Sequence, residues 1–132
     1  MEQLDLILET CAMVCDTTKE KIKGRDRFRK IVVGRQIYCY IARKYFTYGL
    51  VEIGNYVNRD HTTVMHSVDL VERMLKMDDP IICEPFYEII EQLNQRMRQE
   101  IKVSIVINGI IDPNIILNDI RERYNCIIQP IY

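Results

Sequence analysis

Four polar side chains follow one another between two segments whose apolar residues have helical spacing: Asp60, His61, Thr62 and Thr63. An aspartate directly before a helix can cap it, because its carboxylate accepts a hydrogen bond from a first-turn amide. At the start of a helix that enters the major groove of DNA, the same short side chains can contact base edges. The alternative interpretation is a plain capped helix start, since Asp and Thr are favoured there in any helix.

Two short helices joined by a tight turn are predicted to position these side chains. Leu50, Ile53 and Val57 recur at helical spacing before them. Gly54 leaves room for another helix, and Asn58 can adopt the left-handed conformation that ends the first helix. Helices so close in sequence should cross steeply, as in a helix-turn-helix. The second helix has an apolar stripe and an opposite polar face: Val64, Val68, Val71 and Leu75 on the stripe, and Thr62, His66, Asp69 and Arg73 on the polar face.

No set of residues has the spacing of a catalytic or metal site. His61 and His66 fall on different faces of their helix with no third ligand nearby, so no metal is expected. The chain has neither a GxxxxGKS/T phosphate loop nor a GxGxxG motif, which argues against an ATPase or a dinucleotide enzyme. The paired carboxylates Asp78 and Asp79 are interpreted as the end of a helix. The sequence therefore predicts a protein that is not an enzyme and binds no cofactor and no nucleotide.

Basic residues are concentrated in the first third of the chain. Residues 19–44 include ten Lys and Arg and two acidic residues, a net charge of +8, so the remainder carries −9 within a total of −1. Such segregation is typical of a local nucleic-acid-binding surface on a chain that is not basic as a whole. A solvated, lysine-rich surface loop is the alternative interpretation.

The overall composition indicates a cytoplasmic protein. Apolar residues make up 48% of the 132 residues, enough for a core, yet no apolar run has the length of a membrane span. The first residues do not resemble a signal peptide. The five cysteines are odd in number and include no CxxC pair, so we expect reduced thiols and no membrane partner.

Four further helices are predicted from apolar periodicity and from residues that start or stop helices. Asp16 or Thr17 is expected to cap the second of them, and Gly24 to end it. Pro85 is expected to start the last one. The predicted ranges are Glu2–Val14, Thr18–Lys23, Ile31–Phe46 and Pro85–Gln99.

The composition changes after residue 100. Residues 102–107 and 126–129 are predicted strands because they are rich in β-branched residues, and a helix over 115–124 lies between them. Two strands that are apolar on both faces cannot bury themselves, so our hypothesis is that residues 101–132 pair with a second copy as a homodimer. The predicted organisation is a helix-turn-helix domain over 1–79, a connecting helix over 80–100, and a β-α-β appendage over 101–132.

Four blocks of sequence carry a resemblance to a known family: Gly34-Arg35-Gln36-Ile37, Ile41-Ala42-Arg43-Lys44, Glu52-Ile53-Gly54 and Arg59-Asp60-His61-Thr62-Thr63-Val64-Met65-His66. In this order and spacing, roughly residues 1–77 resemble the C-terminal DNA-binding domain (domain IV) of the bacterial replication initiator DnaA. The resemblance implies a mainly α fold, a helical bundle with a Trp-repressor-like helix-turn-helix, to which the β-α-β appendage is added. It also implies a stand-alone module, since the family's ATPase domain has no counterpart in this sequence.

The resemblance implies two groups of DNA-contacting residues. Arg35 would enter the minor groove, where a long, always charged side chain suits narrow A·T-rich DNA, while the other base-reading residues would enter the major groove. The basic residues would add affinity for any sequence through counterion release. The implied base-reading residues are Arg35, Asp60, His61, Thr62 and Thr63. The implied phosphate-contacting residues are Lys21, Lys23, Arg25, Arg27, Arg29, Lys30, Gln36, Arg59 and His66.

The chain departs from the family at three places. Val57-Asn58 stand where the family has a pair of glycines before Arg-Asp-His. Gly34 stands where the family usually has proline, and Asp69-Leu70 stand where it has basic residues, so Asp69 should repel DNA phosphates. We expect sequence-specific binding of double-stranded DNA at DnaA-box-like sites, in the regulation of replication initiation or of transcription. The competing hypothesis is a protein-interaction module that keeps the fold but docks on a replication or transcription protein.

Overall fold

The computed structural model describes residues 2–107, which form six helices and no strand. The helices are α1 (Glu2–Val14), α2 (Lys19–Lys23), α3 (Arg29–Lys44), α4 (Leu50–Tyr56), α5 (His61–Lys76) and α6 (Pro80–Ile107). The predicted mainly α fold, with a helix-turn-helix at α4 and α5, is confirmed for this part of the chain.

The chain divides into two units within α6, Met1–Ile89 and Ile90–Tyr132. The first unit is built around α3, which contacts α1, α2, α4 and α5. Ile37, Tyr38 and Ile41 of α3 are fully buried. The hydroxyl of Tyr38 donates to the carbonyl oxygen of Ile53 at 3.1 Å, which joins α3 to α4. Because Ile53 is near the end of α4, this bond pairs a carbonyl that the helix itself leaves without a partner.

The N-terminal helix supplies a second side of the same core. Leu4, Ile7 and Leu8 of α1 are fully buried, and α1 packs against α3. Cys11 is buried with them, and burial raises the pKa of its thiol well above the ordinary value, so the thiol stays protonated. The cysteines among the described residues are free thiols, and all of them are buried: Cys11, Cys15, Cys39 and Cys83.

Helices α2 and α3 begin at different residues from those predicted. The cap of α2 is Thr18, whose hydroxyl oxygen accepts from the amide of Lys21 at 3.2 Å, and not Asp16 or Thr17. Helix α3 begins at Arg29, two residues before the predicted Ile31. Both differences lie within the one or two residues by which helix ends vary with local capping.

Helix α6 begins five residues before the predicted start at Pro85. Pro80 occupies the first helical position, and Oδ1 of Asp79 accepts a hydrogen bond from the amide of Ile81 at 3.0 Å. Both prolines suit a helix start by sequence, but only the first follows a capping carboxylate. Pro85 therefore lies inside the helix.

The prediction of a strand over residues 102–107 is wrong, because these residues continue α6. Extending an existing helix by one residue requires no new nucleation, which outweighs the weak preference of β-branched residues for strands. The predicted helix over 115–124 and strand over 126–129 lie outside the described residues. The homodimer hypothesis rested on both predicted strands. Only the strand over 126–129 still supports it, and the homodimer stays a prediction.

In the part of the chain that the structure describes, no helix combines the length and the apolar composition that crossing a membrane requires.

Candidate nucleic-acid interface

The turn between α4 and α5 brings two backbone segments into direct contact. The amide of Arg59 donates to the carbonyl oxygen of Gly54 at 2.9 Å, and Asn58 has the predicted left-handed conformation, with φ of 59°. A Cβ atom on Gly54 would collide with the carbonyl oxygen of Arg59 and would lie 3.2 Å from Cγ2 of Val64. Glycine at position 54 is therefore what permits this close approach.

Asp60 caps α5, as the sequence predicts. Its Oδ1 accepts a hydrogen bond from the amide of Thr63 at 2.8 Å, and its backbone is extended as an N-cap residue requires. This bond from the backbone of Thr63 lowers the pKa of Asp60, so the carboxylate is charged at neutral pH.

Helix α5 has one buried and one exposed face. Val64, Val68 and Val71 are buried against the core. The exposed residues are His61, Thr62, Thr63, Met65, His66, Asp69, Arg73 and Lys76. The structure thus brings Asp60, His61, Thr62 and Thr63 together in solvent at the N-terminal end of α5.

Arg35 joins α3 to the end of α2. Its Nε donates to the carbonyl oxygen of Ile22 at 2.8 Å, and its Nη2 donates to the carbonyl oxygens of Gly24 and Asp26, both at 3.3 Å. Burial, and then repulsion from the nearby Arg59, lower the pKa of Arg35, although a guanidinium remains charged in water. The residue expected in a minor groove is thus half-buried, with its planar group held by main-chain oxygens.

The side chain of Arg59 connects the turn before α5 to the end of α2 as well. Its Nη2 donates to the carbonyl oxygen of Gly24, and its Nη1 donates to those of Val57 and Asn58 at 3.1 and 3.2 Å. The side-chain amide of Asn58 donates to the carbonyl oxygen of Lys23 at 3.2 Å. The start of α5 is therefore held in a fixed position relative to the end of α2 and the basic loop that follows it.

These residues surround a polar hollow of about 430 Å³ at the N-terminal end of α5. Four guanidinium groups and two carboxylates line it, so its net charge is positive. An arginine-lined hollow of this kind can hold a phosphate group, because a guanidinium fork matches phosphate oxygens in geometry and charge. The lining residues are Arg25, Asp26, Arg27, Arg35, Asn58, Arg59, Asp60 and Thr63.

The other residues expected to contact phosphate do not line this hollow. The ammonium group of Lys23 lies 4.2 Å from the ring centroid of Tyr56. Nζ of Lys30 lies 3.8 Å from a carboxylate oxygen of Asp16. Gln36 and Arg29 line a different groove together. Lys21 and His66 are exposed. No group of three His, Cys, Asp or Glu side chains that could hold a metal ion occurs among the described residues.

Comparison with known proteins identifies the family. The family model described as the bacterial dnaA protein helix-turn-helix matches residues 4–71, just over half of the chain. The chain belongs to the DnaA helix-turn-helix family. The matched range ends within α5, and it includes the hollow and the whole turn between α4 and α5.

Individual members of the DnaA family align over the same region. The chromosomal replication initiator protein DnaA of Lactobacillus helveticus is 39% identical over 80 residues, which is 60% of this chain and 18% of the relative. That of Lachnoclostridium phytofermentans is 40% identical over 76 residues, or 57% of this chain and 17% of the relative. That of Kosmotoga olearia is 29% identical over 93 residues, or 70% and 21%. The chain thus spans only about a fifth of the length of these DnaA proteins.

Two residues whose contacts join distant parts of the structure, Gly24 and Tyr56, are missing from the sequence prediction. Gly24 was assigned only as a helix stop, but its carbonyl oxygen accepts from two arginines. Tyr56 was given no role, yet its hydroxyl donates to Oδ1 of Asp5 at 2.6 Å, while Lys19 donates to the same oxygen at 3.1 Å. These contacts join residues 14 and 51 positions apart, and no local pattern in one sequence reveals such pairs.

Proposed function

We propose that this chain is a non-enzymatic, sequence-specific binder of double-stranded DNA that recognises DnaA-box-like sites. The observation that supports this most is the exposed row Asp60–Thr63 at the start of α5, directly beside a hollow lined by four arginines. Base-reading side chains next to phosphate-binding ones are the arrangement that a helix in the major groove needs. The process served is the regulation of replication initiation or of transcription.

Asp60 can cap the helix and read a base at the same time. A carboxylate has about four acceptor positions; the amide of Thr63 occupies one, and the hydroxyl of Thr63 and the amide of Thr62 also interact with this carboxylate. A position that remains can accept from a cytosine amino group in the major groove. His61, Thr62 and Thr63 are exposed next to it and can contact base acceptors or thymine methyl groups.

Arg35 retains donors for DNA although it is anchored. Its hydrogen bonds to the main chain use Nε and Nη2, so the two N–H groups of Nη1 remain for a base or a phosphate. Since Arg35 also lines the hollow, we propose that it contacts the minor groove through this nitrogen.

The phosphate contacts are proposed to come from two sets of side chains. Arg25, Arg27 and Arg59 line the hollow itself. The outlying set would extend the contact along the DNA backbone and consists of Lys21, Lys23, Arg29, Lys30, Gln36 and His66. Each cation that neutralises a phosphate should steepen the slope of log binding constant against log salt concentration by close to one unit.

Substitutions at the two kinds of position test the proposal. His61→Ala and Thr62→Ala should each weaken binding by about 1–3 kcal/mol on the preferred site and relax selectivity at particular bases. Lys21→Ala and Arg27→Ala should weaken all sequences alike and lower the salt slope by about one unit. Equal losses on preferred and scrambled duplexes from all four variants would contradict base reading by α5.

The alternative is a protein-interaction module that keeps the fold and docks on a replication or transcription protein. Asp69, exposed on the same face of α5 as Thr62, is the feature that favours it, because a carboxylate there opposes DNA. Under this alternative, none of the four substitutions changes DNA binding, since the wild-type chain has no measurable affinity for any duplex.

A further inference from the structure

A second groove, apolar where the first is polar, lies between α3, α5 and the start of α6. Its volume is about 340 Å³, at the lower end of the range for ligand-binding clefts. Leu70 and Met74 stand one turn apart on α5, and Ile81 lies in the first turn of α6 with 40% of its surface exposed. The apolar residues that line it are Val32, Val33, Leu70, Met74, Ile81 and Ile82.

The rim of this groove is basic. Arg27 and Arg29 line it together with Gln36, and none of the residues that line it is acidic. Arg29 is the first residue of α3, and the first turn of that helix contains no acidic residue, so the partial positive charge of the helix start adds to that of the side chains. The groove therefore combines an apolar floor with a positive edge, and the acidic residue Glu84 lines an adjacent pocket together with Arg29.

The apolar floor of the groove is not needed by the proposed DNA contact, although Arg27, Arg29 and Gln36 at its rim are among the proposed phosphate contacts. A duplex carries negative charge but would leave the floor formed by Leu70, Met74 and Ile81 in water, where apolar surface is unfavourable. An occupant with apolar side chains and carboxylates satisfies both the floor and the rim. Docking of an amphipathic helix in an apolar groove is a recurring mode of peptide recognition.

We propose that this groove binds a short amphipathic segment of another protein, apolar on one face and acidic at its edges. Its apolar side chains contact Leu70, Met74 and Ile81, and its carboxylates pair with Arg27 and Arg29. Arg27 also lines the polar hollow beside Asp60, so one arginine belongs to both grooves. A bound acidic segment therefore competes for Arg27 with a DNA phosphate. Only this competition rests on the proposed function, since peptide binding itself needs no DNA.

The test begins with a selection of random twelve-residue peptides, displayed on phage, against the full chain without DNA. The expected outcome is a set of peptides that carry apolar residues three or four positions apart and Asp or Glu beside them. A labelled synthetic copy of the selected consensus then gives the affinity by fluorescence anisotropy.

Variants locate the binding site. Met74→Glu and Ile81→Glu should each weaken the peptide by roughly tenfold or more, the size of effect at an interface hot spot. The matched control is Met77→Glu, because Met77 is 78% exposed near the same end of α5 but does not line the groove. Arg29→Glu should also weaken the peptide, and a peptide with Lys in place of its acidic residues should bind this variant better than the wild type. Ile81 is partly exposed, so its variant keeps the test valid if Met74→Glu does not fold.

Three outcomes would overturn the proposal. The first is a selection that yields no consensus peptide. The second is a consensus peptide that binds Met74→Glu and Ile81→Glu as tightly as it binds the wild type. The third is a full chain that forms a dimer, which either substitution dissociates. The last outcome would mean that a second copy of the chain covers the groove.

The competition is measured separately with a labelled duplex at low salt. The peptide should weaken DNA binding by the wild type, and it should weaken DNA binding by Arg27→Ala less, because only Arg29 and Gln36 of the groove then remain as proposed phosphate contacts. If the peptide binds the groove and the duplex remains equally tight, the competition is wrong while the site stands. If the wild type binds no duplex, the proposed function fails and the peptide result is unaffected.

Discussion

Arg35 and Arg59 donate to the same carbonyl oxygen, that of Gly24. This oxygen is at the end of α2, where helical carbonyls lack partners within the helix. Arg35 belongs to the central helix and Arg59 to the turn before α5, so the shared oxygen links the core, the basic loop and the start of α5. The two positive side chains that meet there also repel each other, which is one cause of the lowered pKa of Arg35.

The shared oxygen predicts a specific form of coupling between the two arginines. Either single substitution, Arg35→Ala or Arg59→Ala, leaves one arginine to pair with Gly24 and relieves the repulsion. The double variant loses the last donor and gains no further relief, so its loss of unfolding free energy should exceed the sum of the single losses by about 0.5–1 kcal/mol. Urea unfolding of the four proteins measures this difference, and additive losses would show that the two bonds act independently.

Close approach of the backbones at Gly54 predicts that an added methyl group is poorly tolerated. Gly54→Ala should lower the free energy of unfolding by about 1–3 kcal/mol, because its Cβ meets the Arg59 main chain, which cannot rotate away. The matched control is Gly34→Ala inside α3, where the nearest atoms are flexible side chains at 3.4 Å or more. That substitution should be neutral or stabilising, by up to about 1 kcal/mol of helix propensity. Equal thermal midpoints for both variants would contradict the close contact.

The contacts of Asp5 predict that the fold loses stability at acidic pH. The hydrogen bond from Tyr56, and then that from Lys19, lower the pKa of Asp5 in the folded protein. Because the unfolded value is about 3.9, these contacts stabilise the fold fully above that pH, and their contribution is lost as the pH falls through the lower folded value. The urea midpoint of the wild type should therefore fall more steeply below pH 4 than that of Asp5→Asn. The control is Asp78→Asn, at an exposed left-handed position that Asn tolerates, and its urea midpoint should depend on pH as that of the wild type does. The same pH dependence in the wild type, Asp5→Asn and Asp78→Asn would exclude this role of Asp5.

Asp69 predicts a gain of DNA affinity on removal of one charge. It is exposed on the same face of α5 as Thr62 and His66. Asp69→Asn should tighten binding to all duplexes roughly twofold to fivefold at low salt, and the gain should fade as salt screens exposed charges. Glu88→Gln, which removes an exposed carboxylate from α6 instead, is the control and should leave affinity unchanged. Weaker binding by Asp69→Asn would mean that Asp69 contacts a base or a partner.

Local features of the site could be predicted from sequence because neighbouring residues determine them. Asn58 was predicted to take the left-handed conformation and Asp60 to cap α5, and both have short-range causes in turn chemistry and capping. The buried stripe of Val64, Val68 and Val71 follows from helical periodicity in the same way.

Other features could not be predicted because competing signals or distant residues decide them. Pro80 and Pro85 both suit a helix start, and the choice depends on the side chain of Asp79. The β-branched run over 102–107 favours a strand in isolation but continues an existing helix. The anchoring of Arg35 depends on main-chain oxygens 9–13 positions earlier, whereas the family resemblance implied only a side chain that enters the minor groove.

Fluorescence anisotropy tests the central claim most directly, with the wild-type chain, a labelled duplex that carries a DnaA-type box, and a scrambled duplex of the same composition. Both duplexes are titrated at two salt concentrations. The predicted result is binding that weakens with salt and prefers the box at both concentrations, because base contacts persist when phosphate contacts are screened. Equal binding of the two duplexes would contradict recognition of the box, and no binding at either salt concentration would contradict DNA binding by this chain.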